Sequence, residues 1–329
     1  MKRIQSTVLV FAMLAVVAGC AVFRENKQTT SPTLPAQSLW TGEYGGADKS
    51  YDSRLLALRE EIAPKFQQLT FEDEETSRMM HYNLFIPKNY DPNQQYPLVL
   101  FMADASTVGK GVMAPLKQGY GGIIWAMDES QAKNPSFVLV PSFEGPENVT
   151  NDQWQVTNEA DVALRLLHHI VGQYSIDKNR LYTTGQSMGG MISFYFNSKY
   201  PDLFAASLFV GSQWDVNVLL PLAGKKFFYV VSAADPKASA GMKELGQMLS
   251  EKGVTYGETE FSARLPQAEQ EAKVGELIRK GYGINFVRFS PNTVTPVNMK
   301  MKNGGEHMYS FDYAYQLEAV RDWIFKQKR

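Results

Sequence analysis

The sequence of 329 residues contains one cysteine, Cys20. A lone cysteine excludes an intrachain disulfide and a cysteine-built metal site. Histidine is also scarce, with four in the chain. Neither sign of charge dominates: 33 Lys and Arg against 34 Asp and Glu leave a net charge of −1. No basic patch stands out, which argues against a nucleic-acid partner. There is no internal repeat, and no linker-like stretch follows residue 50. What is present is ordinary for a packed protein, 44% hydrophobic and 20% charged, and the length suits one large α/β domain or two small ones.

The position of the cysteine is informative. Lys2 and Arg3 form a positive start, and Val8 to Val17 is an apolar core too short to make a good membrane span. Val17-Ala18-Gly19 then places small residues directly before Cys20. This is the layout of a secretory signal over residues 1–19. Its end resembles the bacterial lipobox, in which the cysteine is lipidated and becomes the first mature residue. The resemblance implies a protein anchored to a membrane through Cys20, in the cell envelope and on the extracytoplasmic side. Ala21 rather than Asp follows the cysteine, which in a diderm envelope implies the outer membrane. Residues 20 to about 50, with Ser31-Pro32-Thr33-Leu34-Pro35 and Gly42, Gly45 and Gly46, read as a polar, disordered tether. One domain over 51–329 is the simplest division of the remainder.

Within that domain, 52–68 reads as a short helix and Met79–Pro87 as a strand. Continuous apolar runs at 96–102, 136–141, 205–211, 226–233 and 284–289 mark strands buried on both faces. Helical stretches at 158–173, 188–199, 237–252, 266–281 and 311–327 alternate with them. Such alternation predicts a mostly parallel sheet with helices on both faces. The extra length between 253 and 300 fits a lid or an added helix pair.

The most telling segment is Gly185-Gln186-Ser187-Met188-Gly189-Gly190, which follows the apolar run Leu181-Tyr182-Thr183-Thr184 and leads into Met191-Ile192-Ser193-Phe194. A strand, a turn with glycine two places either side of a serine, and a helix make a nucleophile elbow. Small residues permit the strained turn. The helix directs free N–H groups and partial positive charge at an oxyanion formed there.

A serine hydroxyl needs a general base, and the base needs an orienting acid. His81 falls mid-strand, and His168 and His169 fall inside a helix. His307, in Asn303-Gly304-Gly305-Glu306-His307-Met308, follows the last buried strand and precedes the last helix, in a loop over the same sheet edge as the elbow. It is the candidate base. Asp235 directly follows the run Phe227–Ala234 and precedes Pro236, which places it between serine and histidine in chain order. It is the favoured acid, and Asp215, which also ends a strand, is the alternative. The Met188 N–H and an N–H of the loop after Met102, at Ala105, are the candidate oxyanion donors. Trp154 and Trp214, and further off Trp125, fall in loops of this edge, where aromatics stack on a sugar or phenolic ring or simply complete the core.

Taken together, Tyr82-Asn83-Leu84-Phe85-Ile86-Pro87, Pro97–Phe101, the elbow, Ala233-Ala234-Asp235-Pro236 and Glu306-His307-Met308 resemble the α/β-hydrolase superfamily. Within it, the chain is similar to the carbohydrate-esterase and predicted-peptidase group that includes feruloyl esterases and polyhydroxyalkanoate-depolymerase-like enzymes. The resemblance implies an α/β-hydrolase fold, a Ser187–His307–Asp235 triad acting through an acyl-enzyme on a small-molecule or glycan ester, and no metal or organic cofactor. Members of this group usually carry His-Gly where this chain has Ala103-Asp104. A carboxylate at Asp104 would repel a developing oxyanion unless it points away. Two other readings stay open: a prolyl-oligopeptidase-like serine peptidase, and a non-catalytic envelope binding lipoprotein on a decayed hydrolase fold.

Overall fold

A computed structural model of the chain describes residues 42–297 and 305–329. The expected signal segment, Cys20 and most of the tether lie outside the described residues. The apolar runs form strands of one nine-stranded sheet: β1 (Gln67–Asp73), β2 (Arg78–Phe85), β3 (Tyr96–Met102), β4 (Phe137–Pro141), β5 (Ile176–Gln186), β6 (Ala206–Val210), β7 (Phe227–Ser232), β8 (Gly257–Phe261) and β9 (Ile284–Phe289). Their order is β1-β2-β4-β3-β5-β6-β7-β9-β8. From β4 to β8 every pairing is parallel, whereas β2 is antiparallel to both β1 and β4. This is the expected α/β-hydrolase architecture.

Alternation along the strands explains the two-sided core. In β3, Val99 and Phe101 pack into one apolar layer and Leu98, Leu100 and Met102 into the other. In β7, Phe228 and Val230 share the first layer, while Phe227, Tyr229 and Val231 face the opposite side. A strand wetted on neither face has no reason to keep polar residues, hence the unbroken apolar runs. Burying each such side chain contributes about 1.5–3 kcal/mol.

Four differences from the sequence reading have physical causes. The segment after Ile62 turns into β1 rather than continuing the helix, because Pro64 ends it in a single tight turn. As far as residue 297, the insertion after residue 253 is not a helix pair. It forms the edge strand β8 followed by the helix Gln267–Arg279. The last helix is two, Gly305–Gln316 and Glu318–Phe325, so His307 stands in a first helical turn and not in a loop. Finally, residues 42–50 are not free tether. Lys49 is 1% exposed, with its Nζ 2.7 Å from Asp312 Oδ2 and donating to the Gln118 carbonyl at 2.9 Å.

The β1–β2 hairpin is fastened to the helix Asn158–Gln173 by an ion pair. Arg165 Nε and Nη2 donate to the two Asp73 oxygens at 2.5 and 2.8 Å. Those bonds, helped by Thr76, pull the Asp73 carboxyl down to about 2 against the opposing effect of burial. Because the folded-state value lies below the unfolded one, the stabilisation is complete above about pH 4 and is lost as pH falls toward 2. Asp73→Asn is expected to lower unfolding free energy by about 1–2 kcal/mol at pH 7, allowing for solvent around Arg165. Urea titrations should show the gap from the parent protein closing between pH 4 and pH 2. A gap independent of pH would exclude the ion pair as its cause.

Candidate active site

The parallel strands β3, β5, β6, β7 and β9 all end at one rim, the position where this class of sheet places its ligands. The loops that follow carry Ala103–Thr107, Ser187, Gly211–Asp215, Asp235 and, after the undescribed residues 298–304, His307. Ser187 joins β5 directly to the helix Met188–Lys199 with φ +49° and ψ −119°. For a residue with a Cβ, that conformation costs about 1–3 kcal/mol and persists only where its surroundings enforce it. They do so here by close approach. A Cβ on Gly189 would lie 1.9 Å from the Met102 carbonyl oxygen, and one on Gly185 would lie 2.3 Å from the Gly189 backbone. The elbow glycines therefore let β5, the helix and the end of β3 touch backbone to backbone.

Three side chains from distant parts of the sequence meet at this rim. Ser187 Oγ lies 2.8 Å from His307 Nε2, and His307 Nδ1 lies 2.5 Å from Asp235 Oδ2. The other Asp235 oxygen accepts the N–H groups of Lys237 and Ala238, each at 3.2 Å, capping the helix Pro236–Glu251. The carboxylate is thus buried but supplied with donors on both oxygens. His307 is oriented from three sides. Its ring stands edge-on to Phe311 at 4.9 Å, its carbonyl accepts from Ser310 Oγ at 2.7 Å, and the preceding Glu306 accepts from Ser232 Oγ at 2.5 Å. Ser232 closes β7, the strand that leads to Asp235, so histidine and acid are tied to one strand end. The Glu306–Ser232 bond was not foreseeable from the sequence, where the two lie 74 residues apart.

Asp215, the alternative acid, lies elsewhere. It caps the turn Val216–Val218, with Oδ1 accepting from the Asn217 N–H at 3.0 Å and its Nδ2 at 2.8 Å. His81 bonds Thr70 at 2.9 Å on the exposed face of the hairpin, and His169 packs on Phe71. No group of three or more His, Cys, Asp or Glu arranged to hold a metal occurs among the described residues.

The candidate oxyanion donors each open a helical element. Met188 opens its helix, so its N–H has no acceptor within that helix. Ala105 opens the turn Ala105–Thr107 that follows β3. The feared repulsion from Asp104 is met by the way its carboxylate is held. Oδ2 accepts from Gln186 Nε2 at 2.8 Å, and Oδ1 accepts from the Ser106 N–H at 2.8 Å and from the Ser106 hydroxyl. Both oxygens are committed to neighbours within the loop and the elbow.

Of the two roles open to the tryptophans, Trp125 and Trp214 take that of completing the core. Trp125 is core, its Nε1 donating to the Gly121 carbonyl. Trp214 is also buried, edge-on to Trp154 at 5.6 Å and to Tyr195 at 6.1 Å. Trp154 is 37% exposed and has φ +62°. The two line a recess of about 340 Å³ with Tyr195, Lys199, Asp215 and Val218, and no triad residue borders it.

The family model described as "Putative esterase" matches residues 74–312. No curated protein matches the chain. Among solved structures, a thermostable esterase superposes with a TM-score of 0.66 at 22% identity, over 82% of this chain and 64% of that one. The chain therefore spans a little under two thirds of that protein's length. The feruloyl esterase module from Clostridium thermocellum, solved with sinapinate, aligns at 13% identity and a TM-score of 0.49, over 78% of this chain and 86% of that one. A ferulic acid esterase from Anaeromyces mucronatus aligns at 11% and 0.47, over 76% and 89%. At these identities the likeness is one of fold. The family match takes in the elbow, Asp235 and His307 together, and the chain accordingly belongs to the Esterase family.

Proposed function

We propose that this chain is an extracytoplasmic serine esterase, anchored through Cys20, that hydrolyses carboxylic esters by way of an acyl-enzyme. The observation that carries the reading is the unbroken relay Ser187 Oγ–His307 Nε2, His307 Nδ1–Asp235 Oδ2 at 2.8 and 2.5 Å.

The chemistry follows from that geometry. With its Nδ1–H directed at Asp235, the imidazole presents an unprotonated Nε2 to the serine and takes its proton as Oγ attacks the ester carbonyl. Asp235 stabilises the imidazolium that forms. The carbonyl oxygen becomes an oxyanion beside the Met188 and Ala105 N–H groups, which are fixed before the reaction and need not reorient. His307 then gives its proton to the departing alcohol. Water, deprotonated by the same imidazole, attacks the acyl-enzyme, and as the acid leaves His307 returns that proton to Ser187 Oγ. Every step uses groups of this chain, and none calls for a metal or organic cofactor. The anchoring part of the reading rests on Lys2, Arg3, the apolar core Val8–Val17 and the small residues before Cys20.

Phenolic and glycan esters are the substrate class to try first. The chain from Ala21 onward would be given p-nitrophenyl acetate, a feruloyl ester and a prolyl peptide amide, each beside Ser187→Ala. Ester turnover that disappears in the variant is the expected result. Amide turnover without ester turnover would make it a peptidase. No turnover, together with no labelling by a fluorophosphonate, would make it a binding lipoprotein.

A further inference from the structure

We infer that Asp104 is a positioning residue, a buried anionic bridge that sets the oxyanion loop against the nucleophile elbow. The inference rests on the esterase reading above and concerns how that site is held in shape. Asp104 is 2% exposed and has no cation among its hydrogen-bond partners. A carboxylate buried in this way is costly and is kept only where several donors converge on it. Three do. Gln186, fully buried and immediately before the serine, holds Oδ2, while the N–H and hydroxyl of Ser106, immediately after Ala105, hold Oδ1.

The bridge therefore fastens the residues on either side of Ala105 to the residue preceding Ser187, fixing the distance between one oxyanion donor and the nucleophile. A third segment completes it. The Gly46 N–H donates to Ser106 Oγ at 2.7 Å, and Gly45 packs so closely on the Ser106 carbonyl that a Cβ there would lie 2.2 Å away. Gln186 Oε1 is buried with no partner, so the amide is held by its single bond to Asp104.

The consequence is specific to the transition state. A shift of about 1 Å in an oxyanion donor costs on the order of 100-fold in rate while barely altering ground-state binding. In the full chain, Asp104→Ala should lower kcat for p-nitrophenyl acetate about 100-fold with KM changed less than about threefold. The inhibition constant of phenylboronic acid, which forms a tetrahedral adduct on the serine, should rise by the same factor as kcat falls. Asp104→Asn should stay within about fivefold of the parent, because an amide flip lets the idle Gln186 Oε1 accept from the new Asn Nδ2 while Oδ1 keeps the Ser106 N–H.

If Asp104→Ala does not fold, Ser106→Ala carries the test. It removes the hydroxyl's bonds to Asp104 and to the Gly46 N–H and should lower kcat about five- to tenfold, with a matching loss of boronate affinity. Parent-like kcat and boronate affinity in Asp104→Ala or Ser106→Ala, or an Asn variant as impaired as the Ala variant, would overturn the bridge while leaving the esterase reading intact. Absence of ester turnover in the parent protein would instead overturn that reading.

Discussion

Asp235→Asn is expected to reduce kcat for ester hydrolysis roughly ten-thousand-fold and to leave the fold unharmed. The size of the effect follows from the second duty of the carboxylate. Asp235 Oδ1 caps the helix Pro236–Glu251 by accepting two backbone N–H groups, and only Oδ2 faces His307. In the variant the cap still demands an oxygen, so the amide nitrogen must turn toward His307 Nδ1. An N–H pointing at Nδ1 forces that nitrogen to accept, which moves the imidazole proton to Nε2. The Ser187 hydroxyl then faces a donor and has no base. Asparagine is as good a helix cap as aspartate, so the melting temperature should hardly move. Steady-state kinetics with p-nitrophenyl acetate, alongside a thermal melt, checks both halves. A kcat within tenfold of the parent would remove Asp235 from the reaction.

Lys49→Met should destabilise the protein by about 3–5 kcal/mol, the range for stripping one partner from a buried ion pair. Asp312 lies wholly within the core, where burial pushes its carboxyl above the usual range in spite of the opposing pull of Lys49. Its other oxygen accepts the Tyr120 N–H at 2.9 Å. Removing the ammonium leaves a buried carboxylate that must either stay charged without a counter-ion or take up a proton. The double variant Lys49→Met/Asp312→Asn deletes the charge and keeps an acceptor for Tyr120, and should recover most of the loss. Urea denaturation of the three proteins at pH 7 supplies the comparison. If Lys49→Met costs less than about 1 kcal/mol, the segment before residue 50 is not an integral part of the fold. The result also bears on catalysis. This segment touches the oxyanion loop through Gly46, and the helix that carries His307 through Asp312 and through the Tyr309 hydroxyl, which donates to the Asp48 carbonyl.

The candidate triad is legible in the sequence because local pattern and strand order leave few places for it, one for the serine and two for the acid. Gly185 and Gly189 mark the elbow because no side chain fits between Met102, Gly189 and Gly185. Asp235 and His307 were placed by counting buried strands, since loops after parallel strands converge on one rim. What escaped the sequence reading depends on partners far along the chain, or on polar residues at edges. β8, Gly257-Glu258-Thr259-Glu260-Phe261, carries two charges in five residues because it is the last strand of the sheet, and Arg288 on β9 pairs with both of its glutamates. Periodicity cannot separate such a strand from a solvated loop. Lys49 reads as an ordinary tether residue until Asp312 is seen beside it. Trp214 reads as a rim aromatic until its burial against Tyr195 is seen, since a tryptophan near a strand end serves core and ligand site equally well. Asp104 reads as a defect in the oxyanion loop until Gln186 and Ser106 are seen to hold it.

The most direct measurement of the central claim is the stoichiometry and position of a fluorophosphonate adduct, followed together with ester turnover. The account predicts one adduct per chain, mapped by peptide mass spectrometry to Ser187, with turnover falling in proportion to labelling and neither adduct nor turnover in Ser187→Ala. Turnover that survives complete labelling, or a label carried on any other residue, would contradict it.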